Sequence, residues 1–219
     1  LAIAGLVVNT ETHVMMMGLK DGQNGKSTLI NFINMLFPAR CVSSVPMEDL
    51  GRNAFSMTSL LSSKLNTQAE VTSKGVIDST ILKKVLSGDW IEIERKHKDP
   101  VRIRPKAAWI VGCNSSWTPS DRSKSTFRRW EVITFPNWVD DDKKKIRLED
   151  DILERDNNEI LGWALDGLIR WQKQGRKFTK VPSSNAAKRN WIREVDPLEV
   201  WVEDCIKVSD KGSRMRPRD

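Results

Sequence analysis

Hydrophobic positions fall into two regimes along this chain. Up to about residue 138 they form short runs broken by polar turns. After Pro136 they recur at a helical period. Val14 to Gly18 is an apolar run that predicts a buried strand, followed by a polar, glycine-containing turn from Lys20 to Ser27. From Thr28 to Phe37 the apolar residues Leu29, Ile30, Phe32, Ile33, Leu36 and Phe37 have helical spacing, and Pro38 ends it. Leu65 to Val71, Ala107 to Cys113 and Val132 to Phe135 predict three more strands. Asp78 is a helix cap, Ser79 to Leu86 a helix and Gly88 its stop. The alternation of Trp90, Ile91 and Ile93 with Glu92 and Glu94, a turn at His97 to Pro100, and a second alternation over residues 101–104 predict a hairpin with a basic tip. The stretch from Cys41 to Ser63 is mixed and gives no assignment. Ile152 to Trp171 follows a helical period, as does Asn185 to Val208. Trp163 and Trp171 share the apolar face of the first of these and are expected in the core.

The expected fold class is therefore α/β, with a sheet core over residues 1–138 and a helical region with a basic tail over 139–219. Composition narrows the picture only slightly. The 219 residues carry 39% hydrophobic and 30% charged positions, ordinary for a soluble globular chain. No run approaches the roughly 20 apolar residues of a membrane span, and no signal peptide is visible, so a cytoplasmic location is expected. The net charge of +7 favours a polyanionic partner. Cys41, Cys113 and Cys205 are far apart and read as reduced thiols rather than a zinc site. The chain starts at Leu1, which suggests a piece of something longer.

The candidate chemistry lies in Gly22-Gln23-Asn24-Gly25-Lys26-Ser27-Thr28, between a strand and a helix. Such a loop aims backbone N–H groups at phosphate oxygens, and the helix behind it presents its N-terminus to the same anion. Lys26 would contact the β- and γ-phosphates of ATP, and the Ser27 hydroxyl would ligate Mg²⁺. Lys20 occupies the place where the usual pattern has its first glycine. A hydrolase also needs a carboxylate to position water and support the metal. Glu70, after the apolar stretch ending at Ala69, is the candidate. Asn114, after the strand ending at Cys113, could orient the attacking water, and Trp117 beside it is a candidate for a nucleotide or interface role.

Taken in order, the phosphate loop, Leu65-Asn66 to Glu70, Leu82 to Asp89, Lys96 to Pro100, Cys113-Asn114 and Phe127-Arg128-Arg129 resemble the superfamily 3 helicases, in particular the helicase domain of phage, plasmid and poxvirus primase–helicases. The resemblance spans about residues 14 to 172. It implies a P-loop, AAA+-like core with a central parallel sheet flanked by helices, plus a C-terminal helical region. It implies an ATP-driven, Mg²⁺-dependent motor, usually a hexameric ring, that moves on single-stranded or forked DNA and is fused to a primase or polymerase portion. Carried over by position, Lys26 and Ser27 match the first motif, Glu70 the second and Asn114 the sensor. Arg129 matches the arginine finger supplied by a neighbouring subunit, with Arg128 as second choice. Ala69 stands where related ATPases often have another acid. The hairpin at residues 90–104, with Lys96, His97 and Lys98 at its tip, would grip DNA phosphates. Three other readings fit the same loop: a replication initiator or remodelling switch that does not unwind, an RNA-directed viral ATPase, and a scaffold with a degenerate loop.

Overall fold

The structure, a computed structural model, describes residues 11–53, 55–71 and 75–205. Strand β1 (His13–Gly18) leads through a tight loop into helix α1 (Lys26–Met35). The short strand β2 (Val42–Ser43), β3 (Leu65–Gln68) and β4 (Val76–Ile77) follow, then α2 (Ser79–Ser87). Strands β5 (Ile91–Arg95) and β6 (Lys98–Ile103) form a hairpin; β7 (Ala108–Cys113), β8 (Thr118–Pro119), the short helix α3 (Lys124–Phe127) and β9 (Trp130–Phe135) come next. Three helices close the described chain: α4 (Leu148–Lys173), α5 (Pro182–Val195) and α6 (Pro197–Cys205).

The central sheet has five strands in the order β2-β3-β7-β1-β9, and every neighbouring pair is parallel. Parallel strands are joined by crossovers that cover both faces, so β1 and β7 are buried at successive positions rather than at alternating ones. The two faces divide by residue parity. Val14 and Met16 of β1, with Ala108 and Ile110 of β7, pack on Ile30 and Ile33 of α1. Met15, Trp109, Val111, Trp130 and Val132 point the other way, into a larger core with Leu82, Val85 and Leu86 of α2.

That larger core also contains Ala187, Trp191 and Val195 of α5. Trp191 stacks against Trp117 at 4.9 Å and meets Phe127 edge-on at 4.8 Å, and its Nε1–H donates to the Trp117 carbonyl at 2.9 Å. A boundary at residue 138 thus cuts α5 off from a core that it shares with the sheet.

Most elements fall where the sequence pattern puts them, and the differences have local causes. The hairpin turns at Lys96-His97, with His97 at φ 56, and Pro100 lies within β6 rather than in the turn. The unassigned stretch from residue 41 to 63 is mainly 3-10 turns that bury Met47, Leu50, Met57 and Leu60. The helix expected over Asn185 to Val208 is broken by Pro197, and residues 206–219 lie outside the described residues. Trp171 is buried, but Trp163 is 56% exposed, beside the exposed Leu161, Leu165 and Ile169. Hence the apolar period of α4 is only partly a core-facing stripe. No helix among the described residues is long and apolar enough to cross a membrane.

Candidate functional site: a phosphate-loop cleft

The β1–α1 loop opens at the carboxyl end of the sheet, where ligands of open parallel sheets bind. Gly22, Gln23 and Gly25 all adopt positive φ, at 78, 49 and 79 degrees. Gly25 caps α1 in the left-handed region, with no side-chain cap and no acidic residue in the first turn. By contrast, the Asp78 carboxylate accepts from Thr80 N–H at the start of α2. The first N–H groups of α1 and its positive dipole end are therefore left for an anion.

Lys26 is only 5% exposed. Its ammonium donates to Asn24 Oδ1 at 2.9 Å and to Asn114 Oδ1. Two of its three N–H groups are thereby fixed and one remains. Burial pulls the Lys26 pKa below the ordinary lysine value, while the negative charge of Glu70 acts in the opposite sense. The amide nitrogen of Asn24, Nδ2, is buried with no protein partner. A buried cation and an orphaned donor on one loop make an arrangement that an oxyanion would complete.

A cleft of about 850 Å³ is lined by Gly22 to Leu29, Ala69, Glu70 and Asn114. The structure thus brings Gly22, Gln23, Asn24, Gly25, Lys26, Ser27 and Thr28 together with Glu70 and Asn114, drawn from three adjacent strands. Ser27 and Glu70 are both exposed on its wall. A hydroxyl and a carboxylate there fit the oxygen donors that Mg²⁺ prefers.

Three residues that position this site had no motif to flag them. A Cβ on Gly18 would lie 2.2 Å from Asn24 Nδ2 and 2.3 Å from Lys26 Nζ, so only glycine leaves room for both side chains. A Cβ on Gly112 would lie 2.2 Å from the Ala69 carbonyl oxygen, and Val71 N–H donates to the Gly112 carbonyl at 2.7 Å. This close approach of β3 and β7 sets Glu70 beside Asn114. Gln68 donates to the Glu70 carbonyl at 3.1 Å and to Glu48 at 2.7 Å, which fixes the end of β3.

Other predicted residues lie elsewhere. Neither Arg128 nor Arg129 lines the cleft. The Arg129 guanidinium is held within the chain by Ser87 Oγ, at 2.7 and 3.1 Å, and by the Ser125 carbonyl. Arg128 is exposed. Lys96, His97 and Lys98 are exposed at the hairpin tip, with Arg95 bonded across it to the Asp99 carbonyl at 2.7 and 3.0 Å. Trp117, expected near the nucleotide or an interface, is fully buried; its Nε1–H points to Met15 Sδ at 3.2 Å. It is a core residue.

Several solved structures resemble this chain at low identity. The apo A form of the NrS-1 C-terminal region matches with a TM-score of 0.53 and 19% identity, over 94% of this chain and 46% of that one. A shorter version of the same region gives 0.49 and 20%, over 69% and 36%. A JCV helicase bound to a small molecule gives 0.47 and 16%, over 88% and 53%. The chain thus spans about a third to a half of the length of these proteins. Of these three, the match at 0.53 alone exceeds a TM-score of 0.5, and at its identity it speaks for the fold alone. No curated protein matches the sequence. One family model matches residues 19–129, from the phosphate loop to Arg129 and so just over half of the chain, and on that match the chain belongs to DUF5906, a family of unknown function.

Proposed function

We propose that this chain is an ATP-hydrolysing P-loop motor of helicase type, acting on single-stranded or forked DNA as a ring of identical subunits. The observation that carries the reading is the buried Lys26, tied to Asn24 on its own loop and to Asn114 on the neighbouring strand. An ammonium buried this deeply without a carboxylate bonded to it is poised for an anionic ligand.

In this reading the amides of Gly22 to Thr28 and the start of α1 hold the phosphates of ATP, and Lys26 bridges the last two. Ser27 and Glu70 would hold Mg²⁺, which supplies positive charge against the phosphate oxygens when bound. Glu70 accepts a proton from the attacking water, and Asn114 orients that water. The charge on the transferred phosphoryl group requires a further cation, and a neighbouring copy of the chain would supply it. Arg129 matches this role by position in the sequence, but its guanidinium is bonded to Ser87 and Ser125 within the chain. The exposed Arg128 is therefore the better finger. Lys96, His97 and Lys98 would hold DNA phosphates without reading bases.

The test is ATP hydrolysis over a range of protein concentrations, with single-stranded DNA, with RNA and with neither. Wild type is expected to hydrolyse ATP, faster with DNA and with rising concentration. Lys26→Ala is expected to lose activity on the order of a hundredfold or more. No hydrolysis and no nucleotide-induced rise in melting temperature would end the proposal.

A further inference from the structure

The cleft has a second wall that the phosphate loop does not explain. Between β9 and α4 the chain runs back over the loop, and Val139 N–H donates to the Gln23 carbonyl at 2.8 Å. Lys143, Lys144, Lys145 and Ile146 line the same cleft as Lys26. The first two lysines are held by their own neighbours. Lys143 Nζ lies 2.6 Å from Asp140 and Lys144 pairs with Asp141, each three residues back. Lys144 holds the Asp141 carboxyl below the usual carboxylate range, and the Gln23 side chain adds to this through a hydrogen bond. Gln23 thus ties the loop to this segment through its carbonyl.

Exposed ion pairs of this kind contribute little, because solvent screens them and ordering two long side chains offsets the gain. A polyphosphate in the cleft offers the same lysines several oxygens in a partly dehydrated place, where charge-assisted bonds are stronger. The exchange of partners is downhill. Ile146, 89% exposed, stands beside Leu29, Phe32, Leu148 and Ile152 on the cleft wall.

We propose that Lys143 and Lys144 are a second phosphate-binding group of this cleft: they leave Asp140 and Asp141 when a nucleoside triphosphate binds, and draw residues 139–146 over it as a strap. The inference rests on the cleft being a nucleotide site. Because Gln23 belongs to both loop and strap, the two respond together.

The experiment titrates the whole chain with a fluorescent ATP analogue and Mg²⁺. It compares wild type with Lys26→Ala, with the pair Lys143→Ala and Lys144→Ala, and with the pair Asp140→Asn and Asp141→Asn. The lysine pair is expected to weaken binding about tenfold or more. The aspartate pair is expected to tighten it, since it removes the competitor for the lysines. A merely structural turn would weaken in both. Trypsin cleavage after residues 143–145 should be slowed by the analogue in wild type and not in Lys26→Ala. If wild type binds, Lys26→Ala does not, and neither pair changes the affinity or both weaken it, the strap is wrong while the nucleotide site stands. If wild type binds no better than Lys26→Ala, the nucleotide reading itself falls, and the strap with it.

Discussion

Gly18 shows how much of this site is decided by a missing methyl group. Its neighbours at 2.2 and 2.3 Å are the ends of two side chains, which can move, whereas those of Gly112 include the Ala69 backbone oxygen, which cannot. Gly18→Ala should therefore leave the fold intact but push Lys26 and Asn24 off their positions. Nucleotide affinity is expected to fall roughly tenfold or more, the scale of a lost charge-assisted contact, with circular dichroism unchanged. A thermal-shift titration checks both. The order of strand, glycine loop and helix was legible in the sequence, because a tight turn with positive φ leading into a helix favours glycine there. Gly18 and Gly112 were not, since a glycine inside an apolar strand looks the same whether it faces open space or a lysine. Lys143 to Lys145 are part of a charged run in the sequence, but their place on the cleft depends on the return of the chain after β9.

Among the elements, α5 departs most from its sequence signature. Its period marks a helix, but nothing local says that Trp191 enters the aromatic cluster of Trp117, Trp130 and Phe127. Four of the nine tryptophans, Trp109, Trp117, Trp130 and Trp191, are fully buried, which accounts for much of the unusual tryptophan content as core volume. Trp191→Ala should cost about 3–5 kcal/mol, the range for deleting a large buried aromatic, with the lost bond to the Trp117 carbonyl contributing. Urea unfolding followed by tryptophan fluorescence measures it. A helical appendage outside the core would show a far smaller change. Strands β1 and β7, in contrast, were readable, because burial on both faces leaves continuous apolar runs, whereas β2 falls in the stretch that gives no assignment. The 3-10 turns between β2 and β3 were not, because their apolar spacing follows neither helix nor strand.

For the molecule as a whole, acid stability has a buried contributor in His13. His13 lies at the start of β1, between β7 and β9. Its Nε2–H donates to the Leu86 carbonyl at 3.0 Å and its Nδ1 accepts from Trp109 N–H at 3.1 Å, so the neutral ring joins α2 to β7. Burial lowers its pKa from 6.5 to about 4. Between those values the unfolded chain binds the proton and the folded chain does not. The contribution is complete above pH 6.5 and is lost as pH falls towards 4, by up to about 3 kcal/mol. Denaturant midpoints taken from pH 7 to pH 4 should show that slope, and His13→Gln should flatten it. A wild-type midpoint that stays level over this interval would count against a buried neutral His13.

The strand order has a consequence for how the protein is made. β1 leaves the ribosome well before both its partners, β7 and β9, which arrive about a hundred residues later. The core that supports them needs α5, which comes later still. A nascent chain still on the ribosome thus carries the β1–α1 loop long before it has anywhere to put it. Closing so many distant contacts is slow and leaves apolar strands uncovered in the meantime, so the growing chain would depend on chaperones until Val195 has cleared the exit tunnel.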